Sequence, residues 1–249
     1  MRAARAKDVT DAEMTEYRIH VFRHLVISLM AVSFVFAALA TTGWYAYEAS
    51  PPRQTVDGAI LYRHQVWDMA YNGIAIKIRW CTSKDPEGPC TDNIDEYRYF
   101  DDAANHESLK WADCPRGKGK YPALAAEAAG AGSIMMMVGV LLLGFQGICM
   151  LVGVVAYVKQ PHRNVMLPFA CAHVVATVSA CFLNTNFATK TQPIRDLMLK
   201  SSFIDDTTPL MESGYSNILY IIGIVLMVAN FYPWYYMVTM VHTTLYTAL

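Results

Sequence analysis

The chain has 249 residues, 54% of them hydrophobic and only 16% charged, with a formal net charge of −1. That is a membrane composition. No block of like charge reaches five residues, so neither nucleic acid nor an anionic ligand is indicated as a partner.

A helix crossing the hydrocarbon core needs roughly 20 mostly apolar residues. Four stretches qualify, and they divide the chain into a tail over 1–24, spans over 25–47, 125–158, 166–187 and 217–243, and the segments between and after them. The first span is too long for the core of a signal peptide and runs into Trp44-Tyr45-Ala46-Tyr47-Glu48 without a small-residue cleavage site, so it reads as retained. Arg2, Arg5, Lys7, Arg18 and Arg23 crowd the tail, and Lys159 and Arg163 flank the tight connection over 159–165. The third connection, 188–216, carries Lys190, Arg195 and Lys200. The excess of basic residues at the tail and the tight turn places both termini in the cytoplasm and the loops over 48–124 and 188–216 outside.

The long loop reads as a small domain. From Ala59 to Trp80 two strand-like runs flank Asn72-Gly73, the favoured pair of a two-residue hairpin turn. In the second run Ile74, Ile76, Ile78 and Trp80 alternate with Lys77 and Arg79, so one face is buried and the other wet. Cys81 and Cys90 enclose Lys84-Asp85-Pro86-Glu87-Gly88-Pro89 and can close a small loop in an oxidising space. The acidic stretch 91–109 is expected as a short helix or irregular cover. Its carboxylates lack the spacing of an EF-hand, so a solvated acidic face is favoured and no metal site is assigned.

Small residues line the second span: Gly132, Gly139, Gly144 and Gly147 are expected to let another helix come close, within the bundle or in a homo-oligomer. Cys149, Cys171 and Cys181 fall inside spans, where cysteine packs as a small hydrophobe. In the third span His173 is the one ionisable group that lies deep, and a hydrogen-bonded packing histidine is favoured over a proton site. Pro168 and Pro233 are expected to bend their helices, and Trp234, Tyr235, Tyr236 and Tyr246 to form an aromatic belt at the inner interface. There is no nucleophile elbow, phosphate-binding loop, dinucleotide fingerprint or zinc-protease motif, and neither an enzymatic activity, a catalytic residue nor a cofactor is assigned.

Two features resemble known families. Four spans with a long first outer loop, and a strand ending in Trp80-Cys81 with a second cysteine at Cys90, look like the claudin-type tetraspan architecture, although Gly-Leu-Trp is missing. The element Trp111-Ala112-Asp113-Cys114-Pro115, followed by Arg116, Lys118 and Lys120 and an Ala/Gly-rich helix, resembles the amastins, tetraspan surface proteins of kinetoplastids. The last span, from Gly214-Tyr215 to Asn230-Phe231-Tyr232-Pro233, is similar to theirs too. The sequence between Cys81 and Cys90, and the long tail, mark a divergent member.

The resemblance implies an all-α membrane protein, a four-helix bundle with a small β-containing extracellular domain in its first loop. It implies a multi-pass plasma-membrane protein whose outer loop meets a host or membrane partner, with Trp80 and Trp111 buried against a loop braced by Cys81–Cys90 and with Cys114 an odd thiol. The alternatives are a proton or ion pathway through His173, and an accessory subunit of a larger membrane complex.

Overall fold

The computed structural model describes residues 11–41, 43–49, 52–54, 60–83, 90–99, 121–159, 163–201 and 212–246. The described helices are α1 (Asp11–Ala40), α2 (Tyr121–Val158), α3 (Arg163–Ser201), α4 (Tyr215–Ala229) and α5 (Phe231–Tyr246). Among the described residues four segments are long and apolar enough to cross a membrane: Glu13–Ala40, Ala123–Val158, Val165–Asp196 and Tyr215–Met240. Each carries large apolar side chains turned outward, among them Phe36, Leu151, Phe182 and Val225, all 60% exposed or more. A soluble fold would not leave so many uncovered, and lipid is their natural solvent. The chain is a multi-pass membrane protein, mostly helical, with a small β region after its first helix.

The element boundaries differ from the hydropathy reading in instructive ways. α1 begins at Asp11, well before residue 25, because a stripe at three- and four-residue spacing continues through the polar start: Tyr17, Val21, His24, Ser28, Ala31 and Val35 are all buried. It ends at Ala40, so Thr41 and residues 43–47 are not helical. Gly43 adopts φ 96°, a turn that side chains resist, and the chain passes into a strand. The fourth span is interrupted at Asn230, between α4 and α5. Pro233 offers no amide hydrogen to the carbonyl of Ala229, one turn back, and so sits in the first turn of α5, where that hydrogen is not needed. Pro168, by contrast, leaves α3 continuous.

The chain divides into two compact units, one formed by 1–37, 138–182 and 219–249, the other by 38–137 and 183–218. The first is helical. Its core gathers Tyr17, Val21, Cys149, Ala156, Met166, Trp234 and Met237. The second holds a six-stranded sheet made of β1 (Tyr45–Ala49), β2 (Pro52–Gln54), β3 (Ile60–Met69), β4 (Gly73–Cys81), β5 (Cys90–Tyr99) and β6 (Glu212–Ser213), in the order β5-β4-β3-β1-β6 with β2 also on β3. Every pairing is antiparallel. β6 comes from the third connection and pairs with β1, so the two loops build one sheet.

Two local expectations are corrected. The β3–β4 hairpin forms, but its corner is Tyr71-Asn72, closed by the Ala70 amide donating to the Gly73 carbonyl at 2.8 Å; Gly73 begins β4 and does not have positive φ. Of the stretch 91–109, read as helix or irregular cover, residues 91–99 belong to β5, because pairing with β4 and the Cys81–Cys90 disulfide override the strand's polar composition; 100–109 lie outside the described residues.

Candidate functional site

In the sheet unit the register sorts side chains by face. Tyr45, Met69 and Ile74 stand opposite one another across β1, β3 and β4, and all three are buried; Tyr47 and Trp67 make the next row. These residues line the covered face. Trp44, fully buried, ties the row's end: its amide donates to the Met69 carbonyl at 2.7 Å and its ring meets Phe187 edge-on at 5.4 Å. The Arg195 guanidinium lies 3.6 Å from the centre of the Tyr45 ring and donates to the Ala188 carbonyl at 2.9 Å. Burial pushes the Tyr45 phenol above its ordinary range, with Arg195 opposing.

The other face carries Glu48, Asp68, Lys77 and Arg79, with Glu48, Lys77 and Arg79 exposed. Asp68 is half-buried, and its carboxyl titrates above the usual range because burial disfavours the charge; Glu48 adds to that and Lys77 works against it. Cys81 and Cys90 are paired in register at the far end and joined by a disulfide. Trp80, half-buried, has the Arg63 guanidinium 5.6 Å from its ring. Trp111, Cys114 and Pro115 lie outside the described residues.

Glycines hold the unit's tightest approaches. A Cβ on Gly132 would stand 1.7 Å from the carbonyl oxygen of Tyr71, so this α2 glycine admits the hairpin corner rather than another helix. A Cβ on Gly214 would meet the Gly43 carbonyl oxygen at 2.0 Å, where the Gly214 amide donates to Trp44 and the Ser216 amide to Gly43. Glu127 of α2 forms an exposed ion pair with Lys190 of α3. Such pairs contribute little to stability.

The helical unit holds the second candidate, a polar cluster in a segment where polar groups need partners. His173 donates from Nε2 to the Met227 carbonyl in the last turn of α4, at 2.9 Å, and accepts at Nδ1 from Gln146 Nε2 at 3.1 Å. That pattern fits one neutral tautomer. On α1, His24 Nε2 donates to the Cys149 carbonyl at 3.2 Å, Nδ1 stands 3.1 Å from Asn230 Oδ1, and Asn230 Nδ2 donates to Ser28 Oγ at 2.9 Å. Trp234 packs between them, its ring 4.7 Å from His24 and 6.3 Å from His173. Trp234 is therefore core, not interfacial belt, whereas Tyr235 does face outward.

Comparison with known proteins gives no family. No protein-family model matches the chain, and no curated protein matches it either. The chemistry must be read from the chain's own residues.

Of the residues singled out in the sequence, Cys81 and Cys90 are brought together, and His173 is buried with both ring nitrogens satisfied. Gly144 and Gly147 have no neighbour within 4 Å of where a side chain would be, so they make no packing contact inside the described structure; Gly139 is buried. Cys149 is buried, while Cys171 and Cys181 face outward. Sequence reading missed His20, His24, Ser28, Gln146 and Asn230. The available signal was the i, i+4 spacing of His20, His24 and Ser28, which puts all three on one face of a helix.

Proposed function

We propose that this is an amastin-like, claudin-type four-helix surface protein of the plasma membrane, acting in adhesion or membrane organisation through an outward sheet domain. The carrying observation is a single antiparallel sheet assembled from two different loops and covalently braced at Cys81–Cys90. A shared sheet puts both loops on one side of the membrane, in keeping with the basic residues that assign both termini to the cytoplasm. A disulfide of this kind contributes about 2–4 kcal/mol and belongs in an oxidising space. The buried row holds the sheet flat against its own unit, and the charged row with Glu48, Lys77 and Arg79 is left as the recognition face.

The test is adhesion of cells displaying the full chain to partner cells or membranes. The double variant Lys77→Glu/Arg79→Glu should reduce adhesion several-fold at unchanged surface level. Equal adhesion would remove the sheet face from the account. The competing reading, an ion or proton pathway, draws on the His24 and His173 cluster. It requires flux through proteoliposomes that falls with His173→Ala.

A further inference from the structure

The geometry points to His24 as a proton-binding site within the helical unit, with the Asn230 carboxamide as its two-position partner. Both ring nitrogens face oxygens: the Cys149 carbonyl at 3.2 Å from Nε2, and at Nδ1 Asn230 Oδ1 at 3.1 Å with Ser28 Oγ farther off at 3.4 Å. The two nearest oxygens only accept and ask for a hydrogen on each nitrogen, which is the imidazolium; the longer Ser28 contact can donate to Nδ1 when the ring is neutral. In that state Asn230 Nδ2 donates onward to Ser28 Oγ at 2.9 Å. Turning the carboxamide over serves the neutral ring equally well, since its nitrogen then donates to Nδ1 and the Ser28 hydroxyl donates to its oxygen. A hydroxyl both accepts and donates, so Ser28 completes the set in either state and no buried group loses its partner. One proton is taken up at Nδ1, and one side chain turns.

His173 lacks this arrangement. Its Nδ1 partner, Gln146, has its remaining oxygen without a hydrogen-bond partner. Turned over, that amide would bury an unpaired NH₂ where no hydroxyl waits, so His173 stays neutral.

The titratable groups around His24 are Cys149 on α2, whose carbonyl accepts from the ring, and His173 on α3, with His20 one turn back on its own helix; Arg23, next in sequence, is exposed on another face, and Asn230, between α4 and α5, and the Trp234 indole of α5 do not titrate in water. Among the described residues no carboxylate hydrogen-bonds to it. His20, one turn nearer the start of α1, stacks on Tyr236 at 4.0 Å beside Tyr232, and its Nδ1 has no partner. Glu16 and Arg23 are the charges around it, making this the end from which a proton arrives. In the other direction α1 continues with Ala31 and Val35, which with Leu142, Ala180 and Tyr220 line a cavity of about 10 Å³ whose walls are apolar but for Gln146. The path ends there. The site binds a proton without conducting it. Gly153 makes room for the ring, since a Cβ there would come within 2.8 Å of His24 Cδ2.

The test is solid-state NMR of the full-length protein in lipid bilayers with ¹⁵N-labelled histidine and asparagine, titrated from about pH 8 to about pH 4.5. His24 should pass from an Nε2–H ring to one protonated on both nitrogens, the Asn230 carboxamide signal should move with the same midpoint, and His173 should stay neutral. A His24 ring that stays neutral throughout, or an Asn230 signal indifferent to the titration, overturns the proposal, and the wild-type protein alone decides it. Asn230→Leu removes the acceptor of the charged form and should lower the midpoint by about one pH unit or more, a tenfold loss of proton affinity; an unchanged midpoint contradicts the pairing. Proton flux into dye-loaded proteoliposomes should equal that of protein-free vesicles. A flux abolished by His24→Gln would show that the path does not end at Ala31 and Val35.

Discussion

Gly132→Ala puts one methyl group where the structure has a carbonyl. The added Cβ would stand 1.7 Å from Tyr71 O and 2.8 Å from Tyr71 C, against 3.4–4 Å for ordinary contact. Because the obstacle is backbone, no rotamer relieves it. Either α2 or the hairpin corner must give way by about 1.5 Å, and overpacking of this kind costs about 1–3 kcal/mol. Alanine recovers up to about 1 kcal/mol of helix propensity over glycine. With the full alanine gain the net is a destabilisation of up to about 2 kcal/mol, or up to about 8 °C for a chain of this size. Gly144→Ala is the control, with nothing within 4 Å of its Cβ, so only the propensity gain remains. Thermal unfolding in the same detergent should therefore separate the two variants with opposite signs. Gly132→Ala as stable as Gly144→Ala would refute the close approach of hairpin and helix.

Asp68→Asn should become more stabilising as pH rises. The folded carboxyl is raised above its unfolded value near about 3.9, so the folded state holds the proton more tightly; the cost of burying its charge is absent below the unfolded value and grows as pH rises through the folded one. Melting curves of variant and wild type should nearly coincide in this respect at acid pH and diverge toward neutrality, and a pH-independent difference would contradict it. His173→Leu removes two hydrogen bonds and leaves Gln146 Nε2 and the Met227 carbonyl unpaired, so it should destabilise by about 1–3 kcal/mol. Adding Gln146→Leu should return part of that, with a coupling of about 0.5–1.5 kcal/mol in a double-mutant cycle; strict additivity would break the pair. Gly153→Val should crowd His24 and lower the melting temperature, whereas Gly147→Val should not, by the same thermal assay.

Hydropathy revealed the four spans because lipid rewards length and apolarity, which are local properties. It misplaced the start of α1 because His20, Arg23 and His24 lower any averaged hydropathy, although their faces differ: the histidines are buried and Arg23 exposed. The hairpin was legible in its alternation. Its corner shifted by one residue because the register is fixed by the whole sheet, which sets Met69 opposite Ile74. β5 was hidden in an acidic composition, since its strand state comes from its neighbour. The disulfide was readable from spacing within one loop. The polar cluster was not, because His24 and Asn230 are 206 positions apart and His173 and Met227 are 54 apart. No local pattern encodes such partners. Glycine roles were equally opaque: Gly132 and Gly144 look alike in sequence, and only the packed structure shows that one faces a carbonyl and the other open space.

The central claim is that the braced sheet stands outside the cell. Disulfide mapping by non-reducing mass spectrometry, on intact cells first treated with a membrane-impermeant thiol reagent, tests it most directly. The account predicts a Cys81–Cys90 bond that becomes labelled at both cysteines only when an impermeant reductant is added outside. Free cysteines at 81 and 90, protected from the outside reagent until the membrane is opened, would contradict it and place the sheet on the inner side.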